Sequence, residues 1–400
     1  MYDVIVIGAR CAGAPTALLL ARKGYRVLLV DKAAFPSDCL NNYYIHQPGI
    51  ARLQRWGLLP RVIASGCPPI RQITFASGSI TLMGCPPSVE GIAAAYAPRR
   101  RVLDMLLVEA AIAAGAEVRQ RFVVQDLLQE AGRVMGIRGR MAGGQVVTER
   151  ARITVGADGL HSLVARIVQA PVYAATPALS CVYYTHWSGL RVEGLELYLP
   201  PRRAIVMLPT NEELALLAIS WPTEEFHRVR ADIEGQYWQA LALVPGLAER
   251  VRSGQRAERF RGTADLPNFF RCPRGPGWAL VGDAGYHKDP GTAQGITDAF
   301  RDAELLSAAI DAGLAGRCPL EEALADYERH RNTAVRPMYE FTCQLAALEP
   351  PSPETLQLYA ALRGNRRAID RFFGTIAGTV AIGEFFAPEH LQHIFNTASG

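Results

Sequence analysis

The first 31 residues restrict this chain more than anything that follows them. Val4-Ile5-Val6-Ile7 is a continuous apolar run, the pattern of a strand buried on both faces in a parallel sheet, and it stops at Gly8. Ala12–Lys23 reads as a helix, with Ala17, Leu18, Leu20 and Ala21 supplying an apolar side and Gly24 placed to end it. Arg26–Val30 is a second apolar strand, and it finishes on Asp31. A strand, a crossover helix and a second strand form the unit from which α/β domains with parallel sheets are built.

The turn inside this unit carries chemistry. A dinucleotide-binding fingerprint needs G-x-G-x-x-G after the first strand and an acid about 20 residues further on. The stretch here is Gly8-Ala9-Arg10-Cys11-Ala12-Gly13, with Arg10 in place of the second glycine. Gly8 permits the tight turn and Gly13 lets the helix approach the strand. The helix N-terminus offers free N–H groups to a pyrophosphate, and Asp31 can accept from a ribose. Arg10 stands where backbone normally approaches phosphate, so it either weakens binding or adds a positive contact. Gly8, Arg10, Cys11, Ala12, Gly13, Asp31 and the adjoining Lys32 are therefore candidate dinucleotide contacts. A 2′-phosphate at this position is disfavoured by its repulsion with Asp31. The alternative is an ordinary strand-helix-strand unit whose small residues serve packing.

Two later turns distinguish flavin from nicotinamide. Ile153-Thr154-Val155-Gly156-Ala157-Asp158-Gly159 is an apolar strand ending in a tight turn, followed by Ser162 and Arg166 on a short helix. Trp278–Val281 is another strand, broken at Gly282-Asp283-Ala284; Pro290-Gly291 follows, then Gly295 and a helix from Ile296 to Ile310. With these residues the chain resembles the FAD-dependent class A monooxygenase superfamily, which has the para-hydroxybenzoate hydroxylase fold and also includes flavin halogenases and geranylgeranyl reductases. The resemblance runs from residue 1 to about 345. Gly156, Ala157, Asp158, Gly159 and Ser162 match the family's G-A-D-G-x-x-S pattern. Gly282, Asp283, Ala284, Pro290 and Gly295 match its G-D-A and P-x-x-G-x-G patterns, with Ala293 replacing a glycine, and Asp302-Ala303 falls on its Asp-Ala.

The resemblance implies FAD as cofactor, with Arg100 of Arg100-Arg101-Val102-Leu103 as a further contact. It also implies a backbone contact to the adenine from Val124, in a strand expected over 121–124. Asp283, at a strand end, would bond the ribityl hydroxyls. The helix starting at Gly295 and Ile296, after Pro290, would point its positive end at the flavin edge that gains charge on reduction. Asp158 is equally readable as a turn former, since Asp-Gly pairs favour turns.

By the same resemblance the fold class is α/β: a Rossmann-like FAD-binding domain, a mostly antiparallel sheet inserted over it as substrate domain, and a helical C-terminal cap. The expected FAD-binding segments are 1–65, 98–172 and 266–345. Residues 66–97 and 173–265 form the insert, with strands at Cys181–Trp187, Leu195–Leu199, Ala204–Leu208 and Leu214–Trp221 and a helix at Gly235–Val244. Residues 346–400 read as two or three helices, with Phe372, Phe373, Phe385 and Phe386 as packing. Along Cys181–Trp187, Cys181, Tyr183, Thr185 and Trp187 alternate with Val182, Tyr184 and His186. The sequence leaves open which face looks toward the cofactor.

Composition removes several function classes. The balance of 42 Lys+Arg against 38 Asp+Glu, with no block of like charge, does not describe a nucleic-acid surface. The eight cysteines form no CxxC pair or zinc-like cluster, so no metal site is expected, and reduced thiols fit a cytoplasmic protein. The start, Met1-Tyr2-Asp3, lacks the basic region of a secretory signal. The longest weakly polar stretch, of 12 residues from Phe372, is short of the roughly 20 that span a bilayer. Oligomeric state is left open.

Only Lys23, Lys32 and Lys288 are lysines. Halogenases of the superfamily carry a Trp-x-Trp-x-Ile-Pro element and a lysine in their N-terminal half; the five tryptophans here are never two apart and no lysine lies between 32 and 288. Halogenation is not expected. A monooxygenase asks less of its side chains, because a C4a-hydroperoxyflavin transfers the oxygen while the protein excludes water and orients the substrate. The expectation is an FAD-dependent monooxygenase using NAD(P)H and O2 on a largely apolar or aromatic small molecule, in specialised metabolism. The alternatives are a flavin-dependent reductase or desaturase of geranylgeranyl-reductase type, and a flavin-binding redox sensor without turnover. Candidate catalytic groups are Tyr43 and His46, in the Asp38–His46 loop, and Lys288, beside the Gly-Asp turn. The alternative for Lys288 is an ion pair with Asp289 or solvent exposure.

Overall fold

In the computed structural model, which describes residues 1–38 and 43–398, strand Tyr2–Ile7 lies inside a parallel sheet. Strands Val27–Val30 and Val146–Gly156 pair with it on either side, and Glu117–Arg119 and Trp278–Leu280 extend the parallel order outward. Val4, Ile5 and Val6 are fully buried, as a run covered on both faces requires. Helix Gly13–Arg22 packs its Ala14, Ala17 and Leu18 into the same core as Val4 and Val6. The crossover therefore feeds a Rossmann-like α/β core.

Strand Val146–Gly156 serves three neighbours, Trp278–Leu280 among them. Its first half pairs antiparallel with Arg133–Arg140 and its second half runs parallel to Tyr2–Ile7. Its burial changes accordingly, from alternation over Val146–Arg150 to a fully buried run over Ile153–Gly156. The strand expected over 121–124 begins later, at Val123, and runs to Glu130. Arg121 takes a positive φ of 53°, and the backbone N–H groups of Arg121 and Phe122 donate to the carbonyls of Ala33 and Asp31. Those two residues thus turn the chain against the end of Val27–Val30 instead of extending the hairpin.

A second sheet covers the cavity side of this core. Ser180–Ser188, Ala215–Pro222, Ala204–Pro209 and Leu195–Tyr198 pair antiparallel in that order, and Ile73–Ser77 joins Leu195–Tyr198 in parallel with Ile80–Gly84 outside it. Both faces are apolar. Cys181, Trp187, Met207, Leu217 and Trp221 pack under the helices Phe226–Ala231, Ile233–Ala242 and Leu247–Arg252. Val182, Tyr184, Val206, Leu208 and Ala218, on the opposite face, line the cavity.

Helix Gly295–Leu314 packs beside the 27-residue helix Leu320–Ala346. The last segment forms four described helices rather than two or three: Pro353–Leu362, Arg366–Ala377, Ile382–Phe385 and Pro388–Ala398. Leu358, Tyr359, Phe372, Phe373 and Phe385 cluster with Ile73, Phe75 and Leu82, so this segment closes the outer strands of the second sheet. No helix among the described residues is long and apolar enough to cross a membrane.

Candidate active site

The two glycine turns interlock. Gly8 has φ +101°, and a Cβ there would stand 2.3 Å from the carbonyl oxygen of Ala157; a Cβ on Gly13 would stand 1.8 Å from the carbonyl oxygen of Gly8. Any larger side chain would force the strand, the helix and the Gly156–Gly159 turn apart. Asp31 is buried beside them. One of its oxygens accepts from the N–H of Ala9 and the other from the N–H of Ala33, both at 2.7 Å, which pins the loop to the end of the second strand. Helix Gly13–Arg22 has no side-chain cap and no acid in its first turn; Ala14 N–H already donates to the carbonyl of Arg10 and Pro15 has no N–H, so what the helix offers an anion is its positive dipole end.

Behind this loop Asp104, fully buried, accepts from both Arg10 and Arg100, and the Sγ of Cys11 lies 3.4 Å away. Asp104 thereby holds both guanidiniums at the cavity edge. Asp104 escapes the sequence reading. The available signal was Arg100-x-x-x-Asp104, a helical i,i+4 pair in an otherwise apolar stretch.

Asp158 is committed locally: its carboxylate accepts from the Ser162 hydroxyl at 2.6 Å and from the N–H of Leu163 at 2.7 Å, capping helix Leu163–Ile167. Burial pushes its carboxyl up, against these hydrogen bonds. Asp283 differs. It lines the cavity, and its carboxylate has no hydrogen-bond or ion-pair partner among the described residues.

The turn after Asp283 is tied from several directions. Asp289 caps Pro290–Thr292 through Gly291 N–H and accepts from the Ser180 hydroxyl of the second sheet at 2.6 Å. The hydroxyls of Thr292 and Thr342 bond at 2.7 Å, and Gln294 Nε2 donates to the carbonyl of Ile376 at 2.6 Å. Ala293 adopts φ +54°, which explains why a glycine suits this position. His46 donates from Nε2 to the carbonyl of Thr292 at 2.9 Å, because a carbonyl only accepts, and its Nδ1 has no hydrogen-bond partner among the described residues. Burial pulls the His46 imidazole down to about 4, so it is neutral at physiological pH.

Lys288 pairs with Asp298, not with Asp289, and also donates to the Tyr286 hydroxyl at 2.8 Å. Burial raises the Asp298 carboxyl, but Lys288 and Arg301 overcome that and hold it below the usual carboxylate range. The Lys288 ammonium is thus neutralised in the wall of the cavity. Tyr43 is buried away from the cavity, stacked on His186 with centroids 5.6 Å apart; its neighbour Tyr44 reaches the lining. Of the Asp38–His46 loop, Cys39–Asn42 lie outside the described residues.

One cavity of about 1570 Å³ collects the remaining candidates: Gly8, Arg10, Cys11, Ala12, Asp31, Lys32, His46, Arg100, Val124, Asp158, Asp283, Lys288, Pro290, Gly295 and Ile296 all line it. Gly13 does not and acts through packing. Single-ligand pockets hold about 300–1,000 Å³, so the cavity has room for a dinucleotide and a second molecule. It continues past Gly295 between the second sheet and the helices of residues 341–386.

A Rossmann-like core with an interlocked double glycine turn, joined by one cavity to a chamber under an inserted sheet, fits a dinucleotide-binding protein with room for a second molecule. The chain belongs to the family described as FAD binding domain, whose model matches residues 1–342, and through it to the FAD-dependent class A superfamily. It is similar to the digeranylgeranylglycerophospholipid reductase of Methanocella arvoryzae, at 26% identity over 75% of this chain and 74% of that protein. Among solved structures it resembles the myxobacterial chondrochloren halogenase CndH, with TM-score 0.81 and 21% identity over 99% of this chain and 96% of the other. It also resembles PqsL, a probable FAD-dependent monooxygenase from Pseudomonas aeruginosa, with TM-score 0.75 and 24% identity over 86% and 95% of the two chains. At these identities the structural likenesses speak for the fold.

The site fits FAD. The Gly8–Gly13 turn and the uncapped helix beside Arg10 and Arg100 suit a diphosphate. The unpartnered Asp283 carboxylate suits a polyol.

Proposed function

We propose that the protein is an FAD-dependent, NAD(P)H-using monooxygenase of a largely apolar or aromatic small molecule. The observation that carries this reading is the chamber continuous with the dinucleotide site, walled by Val182, Val206, Leu208 and Ala218 on the sheet and by Phe341 and Leu345 on the facing helix. FAD, when bound, supplies the redox and oxygen chemistry. Arg10, Arg100 and the helix at Gly13 hold its diphosphate, and Asp283 its ribityl chain. The start of the Gly295 helix, without a side-chain cap and with its first-turn Asp298 paired to Lys288 and Arg301, would offer its positive end to charge developing on the flavin. The sheet face excludes water from the reacting atoms and orients the substrate against the Asp289–Thr292 turn.

A second reading, reduction or desaturation of a double bond, is favoured by the run of the cavity under the C-terminal helices, which offers length to a flexible chain. Halogenation remains disfavoured by the sequence and by the paired state of Lys288.

The test starts from purified protein, with the flavin spectrum recorded and NADH and NADPH oxidation followed under O2 with candidate aromatics. Substrate-stimulated oxidation with 18O from 18O2 in the product supports the monooxygenase. A product gaining two hydrogens without oxygen supports the reductase. Flavin that neither nicotinamide reduces, with any substrate, points to a sensor, and colourless protein that takes up no FAD refutes the reading altogether.

A further inference from the structure

The wall of the chamber nearest the Asp289–Thr292 turn has an unusual chemistry. Ser180 reaches that turn through its 2.6 Å bond to Asp289. Val182 is the next residue on the same face, and Ser220 lies directly opposite it, flanked on the other side by Ala204. Ser220 is therefore about 7 Å along the strand and about 5 Å across from the anchor. Its hydroxyl lines the cavity and has no side-chain partner among the described residues. The neighbours Val182, Ala204, Val206 and Ala218 are small or β-branched, which leaves a shallow, flat bay around that hydroxyl.

Charge is kept out of this bay. Arg203 and Arg202 at its far rim are paired with Glu225 and Glu224, and Glu340 and Glu349 are exposed at the mouth. Asp289 is held by Ser180 and Gly291, and Lys288 by Asp298. Residues 39–42 contribute no carboxylate, ammonium or guanidinium. An anionic substrate in the bay would be desolvated beside Arg202, Arg203 and Lys288, which already have carboxylate partners, and that penalty is large.

Resting on the reading of the chamber as the substrate site, we infer that Ser220 is a specificity-determining residue. The bay selects an uncharged, planar substrate whose single hydroxyl or carbonyl group bonds the Ser220 hydroxyl, and it rejects the corresponding carboxylate. The flat small-residue wall sets the shape, the paired charges set the neutrality, and Ser220 sets the orientation relative to the Asp289–Thr292 turn.

Three probes of one shape test this on the FAD-loaded full chain: naphthalene, naphthalene-2-carboxamide and naphthalene-2-carboxylate, with dissociation constants read at pH 8 from perturbation of the bound-flavin absorbance. The amide is expected to bind at least tenfold more tightly than the carboxylate. S220A should shrink the amide's advantage over naphthalene by roughly three- to tenfold, the value of one hydrogen bond, while naphthalene binding stays within twofold. S220K should reverse the order of amide and carboxylate. Equal or tighter carboxylate binding by the unaltered protein overturns the inference, as does an S220A variant with the amide's advantage intact, or failure of all three probes to bind. The flavin spectrum before titration reports separately on whether FAD is held at all. If it is absent, the reading of the cavity fails, and this inference with it.

Discussion

Asp104 sits fully buried between Arg10 and Arg100 and pairs with both. Removing one partner of a buried pair strands charge in a poor solvent, at about 3–5 kcal/mol. Asp104→Ala is therefore expected to lower unfolding stability by that amount in urea titration and to leave the protein without flavin. Asp283→Ala makes the contrasting case: its carboxylate supports no described contact, so thermal stability of the flavin-free protein should hold while flavin affinity, from equilibrium dialysis, falls at least tenfold. His46 adds a pH dependence of definite sign. The unfolded chain protonates this imidazole near 6.5, while the folded chain, because of burial, refuses the proton until about 4. The unfolded state then binds more protons between these values, so stability is full above about 6.5 and falls as pH drops, by roughly 3 kcal/mol overall. A Gln at this position should flatten that decline in melting curves taken from pH 7.5 to 4.5.

The strands that deliver residues to the cavity were legible because each ends in a local signature: an apolar run, then Gly8, Gly156 or Gly282. What those signatures cannot carry is partnership at a distance. Asp104 gains its meaning from Arg10, 94 residues away, and Lys288 passes over its neighbour Asp289 for Asp298, a turn into the next helix. The alternation along Ser180–Ser188 gave two faces but no inside, since both are covered, one by helices and one by the cavity wall. The late start of the Val123–Glu130 strand depends on Arg121 in a left-handed conformation, which few arginines adopt. Ala293 shows the same constraint from the other direction. An L-residue held there is strained by about 1–2 kcal/mol, part of which a glycine would return as chain entropy. Ala293→Gly is thus expected to raise stability by about 0.5–1 kcal/mol in denaturant titration, with the flavin spectrum unchanged.

At the scale of the molecule, the C-terminal helices complete the second sheet. Without residues 350–400, Ile73, Phe75 and Leu82 lose the aromatic cluster that covers them. The truncated chain is expected to bind a hydrophobic dye strongly and to lose the far wall of the chamber. The Pro290–Gln294 turn gives this dependence a further meaning. It is fastened through Asp289 to the sheet, through Thr292 to the helix Leu320–Ala346 and through Gln294 to helix Arg366–Ala377. Three stretches of chain that are remote in sequence thus converge on a single knot, and loosening any one of them slackens the same point. Heating should consequently release flavin fluorescence and helical signal at one shared midpoint, so the cofactor can serve as an optical gauge of the integrity of the whole protein.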